Sequence, residues 1–534
     1  MTVDADTAAA GSLRVGEAVV DLLARHYGVD VVFGIAGVHN IELYRGLHRS
    51  GVRAVSPRHE QGAGFMADGW SVVTGRPGVC TLISGPGLTN ALTAMAQAFH
   101  DSRPMLVLAA TTPTDALGRR FGPLHDLDDQ AAVARTVCAF SETVLDPAAV
   151  PALIARAWDV FTSGRPRPVH LAFPTDVLEQ WVAPYEPVAA VGRRPQPDPA
   201  ELARALDVLA AADRPVIVAG GGCIDAGPEL QRLAEQWDAP VLLTGNAKGV
   251  LASSHPLCVG TLLSAPSVQA AVEAADAVLV VGSEVSDTDL YNGGRALDCV
   301  GRMVRVDIDA EQIVRRLTPE VGVAADAAAT LAALAEALPH AARDGAAATE
   351  VLRAHAGEAA RADLLPWVDA IAAALPADVT VALDSTQLAY AAHAVLPAEA
   401  PRRWLAPYGF GTLGCALPMG VGAWVADPTR PVFALAGDGG WLFTVAEMAT
   451  AADLGTDIVL CVWDNRGYGE IRASFDRVDA PRMGVDVTSA DPLSVARGFG
   501  WEAISVDTPA GLTAALQAGF AAGGPQFVHV AAPI

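Results

Sequence analysis

Asp438 stands between glycines directly after the apolar run VFALAG, and Asn465 follows the next such run, IVLCVW, within the stretch DNRGYG. Gly437, Gly439 and Gly440 leave backbone N–H groups open to a bound oxyanion. A helix beginning near Leu442 would aim its positive end at the same place. Gly467 leaves a carbonyl accessible beside Asn465. One carboxylate, one amide oxygen, one backbone carbonyl and a diphosphate make the octahedral oxygen shell that Mg2+ prefers, so Asp438, Asn465 and Gly467 are the expected metal ligands. A Gly-Asp-Gly triplet taken alone is common in turns. What separates the two readings is its spacing, one helix and one strand ahead of the second loop.

The elements that must position these residues are strands. Short apolar runs alternate with longer Ala/Leu-rich stretches along the chain: VVFGI (31–35), VCTLIS (79–84), MLVLAA (105–110), PVIVAG (215–220), AVLVVG (277–282), VFALAG (432–437) and IVLCVW (458–463). Between them, LTNALTAMAQAFH, ELARALDVLAAA and LFTVAEMATAADLG carry helical apolar spacing. The alternation predicts an α/β protein of mostly parallel sheets flanked by helices, and the carboxyl ends of such strands bind ligands. At 534 residues the chain is too long for one core. The Pro-rich stretch 183–198 and the Ala- and charge-rich stretch near 337–363, expected to be a helical connector, divide it into three domains: about 12–182, 199–338 and 364–534.

A formal net charge of -24 argues against a nucleic-acid partner. The N-terminal stretch MTVDADTAAAGSLRVGEAVV has no apolar core of signal-peptide length, and no run has the roughly 18 uncharged apolar residues of a membrane span. Seven scattered cysteines without a Cys-x-x-Cys spacing suggest buried reduced thiols, with neither disulfides nor zinc. A soluble, cytoplasmic protein is expected.

The two loops and their spacing resemble the metal-diphosphate motif of the thiamine-diphosphate enzymes, the superfamily of acetolactate synthase, benzoylformate decarboxylase and pyruvate decarboxylase. In that superfamily the motif runs from Gly-Asp-Gly to an Asn-Asn pair. Here Asp464 replaces the first Asn, with a role in bracing the loop expected of it, and Asn465 keeps the second. Residues 57–91, PRHEQGAGFMADGWSVVTGRPGVCTLISGPGLTNA, resemble the cofactor-activating segment, in which Glu60 corresponds to the glutamate that protonates the aminopyrimidine ring. The resemblance implies that Leu413 props the bent cofactor, although core packing would also explain a Leu there. It places Thr386 and Gln387 at the diphosphate, with a helix N-cap by Ser385 or Thr386 as the competing or parallel role. The three domains would be pyrimidine-binding, middle Rossmann-like and diphosphate-binding. Gly220, Gly221 and Gly222 do not spell a dinucleotide fingerprint, so neither FAD nor ADP is expected in the middle domain. The resemblance further implies a homodimer or homotetramer with active sites at the dimer interface.

Family membership determines cofactor better than substrate. The adjacent His-His of pyruvate decarboxylases is absent, and Ile83 stands where benzoylformate decarboxylase has a histidine. The available histidines are His39, His100 and His125. His125 is the candidate for proton transfer or substrate contact, and a surface histidine is the alternative. Acetolactate synthases carry Phe-Gln-Glu where this chain has His125-Asp126-Leu127. Glu470 occupies a pocket-lining position, where a carboxylate needs a partner. The segments GVHNIELYRGL, RHEQGAGFMADG, LHDLDDQ and DNRGYGEIR together resemble the decarboxylases of 5-guanidino-2-oxopentanoate, the 2-oxo acid of arginine. The expected reaction is non-oxidative decarboxylation of such an acid to an aldehyde, with His39, Asp126 and Glu470 in the substrate pocket and the two acids as guanidinium partners. Glu470 pairing with Arg472 or Arg466 is the competing reading. Carboligation of 2-oxo acids, as in acetolactate synthase, is the alternative function, and a non-catalytic scaffold ranks last because Glu60, Asp438 and Asn465 are all present.

Overall fold

The computed structural model describes residues 11–189, 192–486 and 491–532. The first ten residues of the N-terminal stretch, 190–191 of the expected connector, and 487–490 and 533–534 of the expected last domain lie outside it. The chain divides into two compact units, 1–192 and 193–534.

The first unit is built on a six-stranded sheet of Val31–Gly34, Arg53–Val55, Gly78–Leu82, Met105–Thr111, Phe140–Thr143 and Pro168–Pro174. Numbered along the chain, these strands lie in the order 2-1-3-4-6-5, and every pairing is parallel. Met105–Thr111 is buried along its whole length, which is why it reads as an unbroken apolar run rather than an alternating one. Helices Glu60–Thr74 and Pro86–His100 follow strands of this sheet and pack against each other. A short antiparallel pair, Leu13–Arg14 with Trp181–Val182, ties the two ends of the unit together.

The second unit holds two parallel six-stranded sheets. The first contains Pro215–Ala219, Val241–Leu243, Cys258–Gly260, Ala277–Val281, Met303–Asp307 and Val321–Ala324, in the order 3-2-1-4-5-6. That is the doubly wound order of a Rossmann sheet. The second contains Thr380–Leu383, Trp404–Leu405, Val432–Gly437, Ile458–Asp464, Glu502–Val506 and Gln526–Ala531. Its order, 2-1-3-4-6-5, repeats that of the first unit's sheet. The stretch expected as a helical connector forms helices Gly345–Arg353 and Ala356–Ala359, and Leu352 is buried in the core of the middle sheet.

One expectation is corrected. The helix after VFALAG does not begin near Leu442. It starts at Asp438 and ends at Phe443, and a separate helix runs from Glu447 to Leu454. The break falls at Thr444, whose hydroxyl donates to the Gly414 carbonyl at 2.7 Å and holds the chain to a neighbouring loop. Asp438 is therefore a first-turn residue, where a carboxylate suits the exposed N–H groups. All seven cysteines are free and buried. Among the described residues, no helix is long and apolar enough to cross a membrane.

Candidate active site

In the second unit, Val432–Gly437 and Ile458–Asp464 pair in parallel, with Gly437 opposite Trp463. The strands therefore end side by side and deliver Asp438 and Asn465 to the same edge. The Gly467 amide donates to Asp438 Oδ2 at 2.7 Å, closing one loop onto the other. Asp438 is buried, and its carboxyl is pushed up to about 6, first by desolvation and then by the nearby Asp464 charge. Asp464 is held below the usual carboxylate range, chiefly by its hydrogen bond with His529. The bracing expected of Asp464 is visible in its contacts: Oδ2 lies 2.9 Å from His529 Nε2, and Oδ1 accepts the Arg466 amide at 2.9 Å.

Asn465 donates its amide to Gln387 Oε1 at 3.1 Å, while its own Oδ1 is buried without a hydrogen-bond partner. A buried amide oxygen left unpaired beside a buried carboxylate is a costly arrangement that a cation would relieve. These hard oxygen donors fit Mg2+. No set of three or more His, Cys, Asp or Glu side chains suited to a metal occurs among the described residues. A metal here would depend on the amide oxygen and on backbone or ligand oxygens. The Gly467 carbonyl also accepts the Gly469 amide at 3.0 Å.

The glycines of the first loop sit tightly against neighbouring side chains. A Cβ on Gly437 would fall 2.9 Å from Thr386 Oγ1, one on Gly439 2.6 Å from the Tyr468 ring, and one on Gly440 3.0 Å from Asp384 Oδ2. Thr386 is the N-cap of helix Gln387–Val395 by position, but its side chain makes no cap hydrogen bond. Leu413 is half-buried on a loop fixed by Gly414, which is left-handed at φ +82 and donates its amide to Asp384 Oδ2 at 2.8 Å.

Asp384 is a residue the motif reading missed. It is fully buried at the end of Thr380–Leu383, accepts the Ser385 and Gly414 amides, and has its carboxyl pushed up to about 7 by burial. It holds the Leu413 loop against the strand end. The signal was a lone acid closing the apolar stretch VAL in VALDSTQ.

In the first unit, Glu60 opens helix Glu60–Thr74 and is buried, and Asn90 Nδ2 donates to its Oε2 at 2.9 Å. Asn90 was also missed, although it lies within the segment quoted for Glu60. His39 and His125 come together with ring centroids 5.1 Å apart. Burial, and then the neighbouring His125, hold His39 below the ordinary histidine range. The Nδ1 atoms of both, Ser84 Oγ and Asp126 Oδ1 are buried without partners. His125 adopts φ +64, and a Cβ on Gly85 would fall 2.6 Å from its carbonyl oxygen, so glycine is needed there. Two neighbouring acids do other work: Asp128 pairs with exposed Arg120, and Asp129 caps helix Gln130–Arg135.

Glu470, in the first turn of Gly469–Arg477, pairs with neither expected arginine. Arg472 donates to the Asn465 carbonyl at 2.7 Å and lies 3.7 Å from Asp486. Among the described residues, the Glu470 carboxylate has no hydrogen bond or ion pair. It lines a cavity of about 500 Å³ that also reaches Asp384, Ser385 and Gln387.

Comparison with known proteins identifies the family. Residues 13–133 match the N-terminal TPP binding domain of thiamine pyrophosphate enzymes, 202–334 their central domain and 384–530 their C-terminal TPP binding domain. The chain is 44% identical over 529 residues to the probable 2-ketoarginine decarboxylase AruI of Pseudomonas aeruginosa, covering 97% of this chain and 94% of that protein. It is 30% identical over 521 residues to the acetolactate synthase isozyme 1 large subunit of Escherichia coli, covering 94% and 91%. A probable acetolactate synthase large subunit from Methanocaldococcus jannaschii is 29% identical, over 86% and 81%. The chain belongs to the thiamine pyrophosphate enzyme family and is a thiamine-diphosphate-dependent enzyme.

Proposed function

We propose that the protein removes CO2 from 5-guanidino-2-oxopentanoate, taking up one proton to give 4-guanidinobutanal. The observation that carries this reading is Glu470, a carboxylate without a partner lining a cavity that also reaches Gln387. Half-buried in the cavity wall, it is free to pair with a cationic ligand. The compound is 2-ketoarginine, the acid named for the Pseudomonas relative.

Thiamine diphosphate, when bound, supplies the electron sink that loss of a carboxylate requires. Asp438, Asn465 and the Gly467 carbonyl would hold Mg2+. Thr386, Gln387, Gly437, Gly439 and Gly440 would take the diphosphate, and Leu413 would pack against the cofactor. Glu60 would hold a proton at its carboxyl toward the aminopyrimidine, and Asn90 keeps that carboxyl in place by its 2.9 Å hydrogen bond. His125, with His39 against its ring, would deliver a proton to the carbon that becomes the aldehyde, and Asp126 would be a second acidic partner for the guanidinium.

The functional unit is a homodimer or a pair of dimers, in which Glu60 of one copy and the metal loops of another serve one cofactor. It works in the cytoplasm, a setting that suits seven free buried thiols. Its partner is a small 2-oxo acid; nucleic acid and membrane have no part in this reading.

The test is turnover with thiamine diphosphate and Mg2+, following CO2 and product mass across the guanidino acid, pyruvate, branched-chain 2-oxo acids and benzoylformate. Preferred conversion of the guanidino acid to its aldehyde is expected. Glu470→Gln should raise its KM about tenfold or more, since a charge-assisted hydrogen bond is lost, and should affect aliphatic acids far less. Equal effects on both would sink the assignment. Acetolactate from pyruvate, the activity named for the 30% identical relative, would place the chain with the synthases.

A further inference from the structure

The cavity that Glu470 lines has five charged side chains in its wall, and four are already satisfied. Asp289 accepts the Gly245 amide at 3.1 Å and both the amide and hydroxyl of Ser286 at 2.9 Å. Glu358 accepts the amide and hydroxyl of Ser267 and faces His355 at 2.9 Å. Asp384 takes two backbone amides, and Arg361 is paired two-pronged with Asp363 at 3.1 and 2.6 Å. Glu470 makes no hydrogen bond or ion pair among the described residues; the nearest cation in the wall, Arg361, feels its charge but spends its guanidinium on Asp363.

Three tyrosines stand in the same wall; Tyr408 is engaged with His393, its hydroxyl 2.7 Å from His393 Nδ1 and the rings 4.7 Å apart, which leaves Tyr291 and Tyr390. Tyr291 and Tyr390 have centroids 6.4 Å apart with their planes tilted by 53°. They come from different parts of the second unit: Tyr291 closes the short helix Asp287–Leu290 beside the Rossmann sheet, and Tyr390 sits in helix Gln387–Val395 beside the diphosphate loops. Both remain open, 64% and 39% exposed, so packing does not account for them. The Glu470 charge acts on both phenols. The Tyr291 amide donates to Asp287 at 2.8 Å, and its left-handed backbone, φ 45, is one that tyrosine rarely adopts.

We propose that Tyr291 and Tyr390 form, with Glu470, an aromatic-acidic box that holds the guanidinium end of the substrate and sets the preference for a cationic over a neutral acid. A guanidinium is planar, weakly hydrated and attracted to tyrosine faces, while its edge donates to a carboxylate. Glu470 satisfies the edge, and the two rings offer faces that an uncharged tail would use poorly. This inference rests on the decarboxylase reading above, and the two can fail separately.

The test compares 5-guanidino-2-oxopentanoate with its neutral isostere, 5-ureido-2-oxopentanoate, on the holoenzyme of the wild type and of Tyr291→Leu, Tyr291→Phe, Tyr390→Leu and Tyr390→Phe. Each leucine variant should lower the guanidino-over-ureido preference in kcat/KM by about tenfold, mostly through KM, while the phenylalanine variants, which keep the ring face, should stay within about threefold of wild type. Calorimetric binding of 4-guanidinobutanoate should weaken in the same order, and melting curves report whether each variant is folded. A wild type that turns over other 2-oxo acids and not the guanidino acid overturns the decarboxylase assignment. A wild type that prefers the guanidino acid, with leucine and phenylalanine variants shifting equally or not at all, overturns the aromatic box alone.

Discussion

His529 Nε2 lies 2.9 Å from Asp464 Oδ2, and on its other side His529 Nδ1 lies 2.9 Å from the Ser505 hydroxyl. His529 and Asp464 sit on paired strands, two residues out of register, since Val462 is opposite His529 and Asp464 opposite Ala531. The imidazole thus ties the Asn465 loop to the neighbouring strand and satisfies the Asp464 carboxylate.

Removing that tie should loosen Asn465. His529→Ala is expected to raise the Mg2+ concentration for half-maximal activation about tenfold, the usual scale for groups that orient metal ligands, and His529→Gln, which keeps an N–H near the Nε2 position, should recover most of it. Titrating Mg2+ against activity, with cofactor fluorescence quenching as a second readout, checks this. Equal loss in both variants would mean the histidine acts only through packing.

Asn465 itself offers a sharper outcome. Asn465→Ala removes the unpaired buried oxygen and should weaken Mg2+ by about a hundredfold, with partial recovery at high metal, because the proposed site makes that oxygen an inner ligand, which contributes more than its supports. Its melting temperature without metal should fall only slightly, since the deleted oxygen had no partner and the change gives up just the Nδ2 hydrogen bond to Gln387 at 3.1 Å.

Glu60→Gln keeps the shape and loses the proton. The expected kcat falls by about 10²–10⁴ with cofactor affinity changed only a few-fold. Asn90→Ala leaves the carboxyl in place without its 2.9 Å hydrogen bond and should cost about tenfold in kcat. Steady-state kinetics with cofactor titration separates the two, and an Asn90 effect as large as that of Glu60 would give Asn90 a direct part in the chemistry.

Asp384 makes stability depend on pH. Its folded carboxyl is raised to about 7 from an ordinary 3.8, so between those values the folded state holds a proton that the unfolded chain has lost. Stability should therefore fall as pH rises from about 4 to 7 and level off above, by at most about 4 kcal/mol. Asp384→Asn keeps an acceptor for the Gly414 amide and cannot ionise. Its melting temperature should decline less than that of the wild type between pH 5 and pH 8, and parallel declines would exclude Asp384 as the source.

Runs such as VFALAG and IVLCVW by themselves determined the class of fold, because strands covered on both faces must be apolar throughout. Asp438, Asn465 and the glycines around them determined the cofactor chemistry, because local spacing around a strand end survives in the linear order of residues. The same local logic failed at Thr444, where a hydrogen bond to the distant Gly414 splits one expected helix into two. It could not find Asn90 or Asp384, whose roles come from partners 30 residues away in the chain. Only the tertiary structure decided that Glu470 is unpaired, since Arg472 turns instead to the Asn465 carbonyl. Only it brought Tyr291 and Tyr390 within 6.4 Å. Pairing between side chains depends on which strand ends and loops meet, and that geometry is set by the packing of whole sheets rather than by any short stretch of sequence.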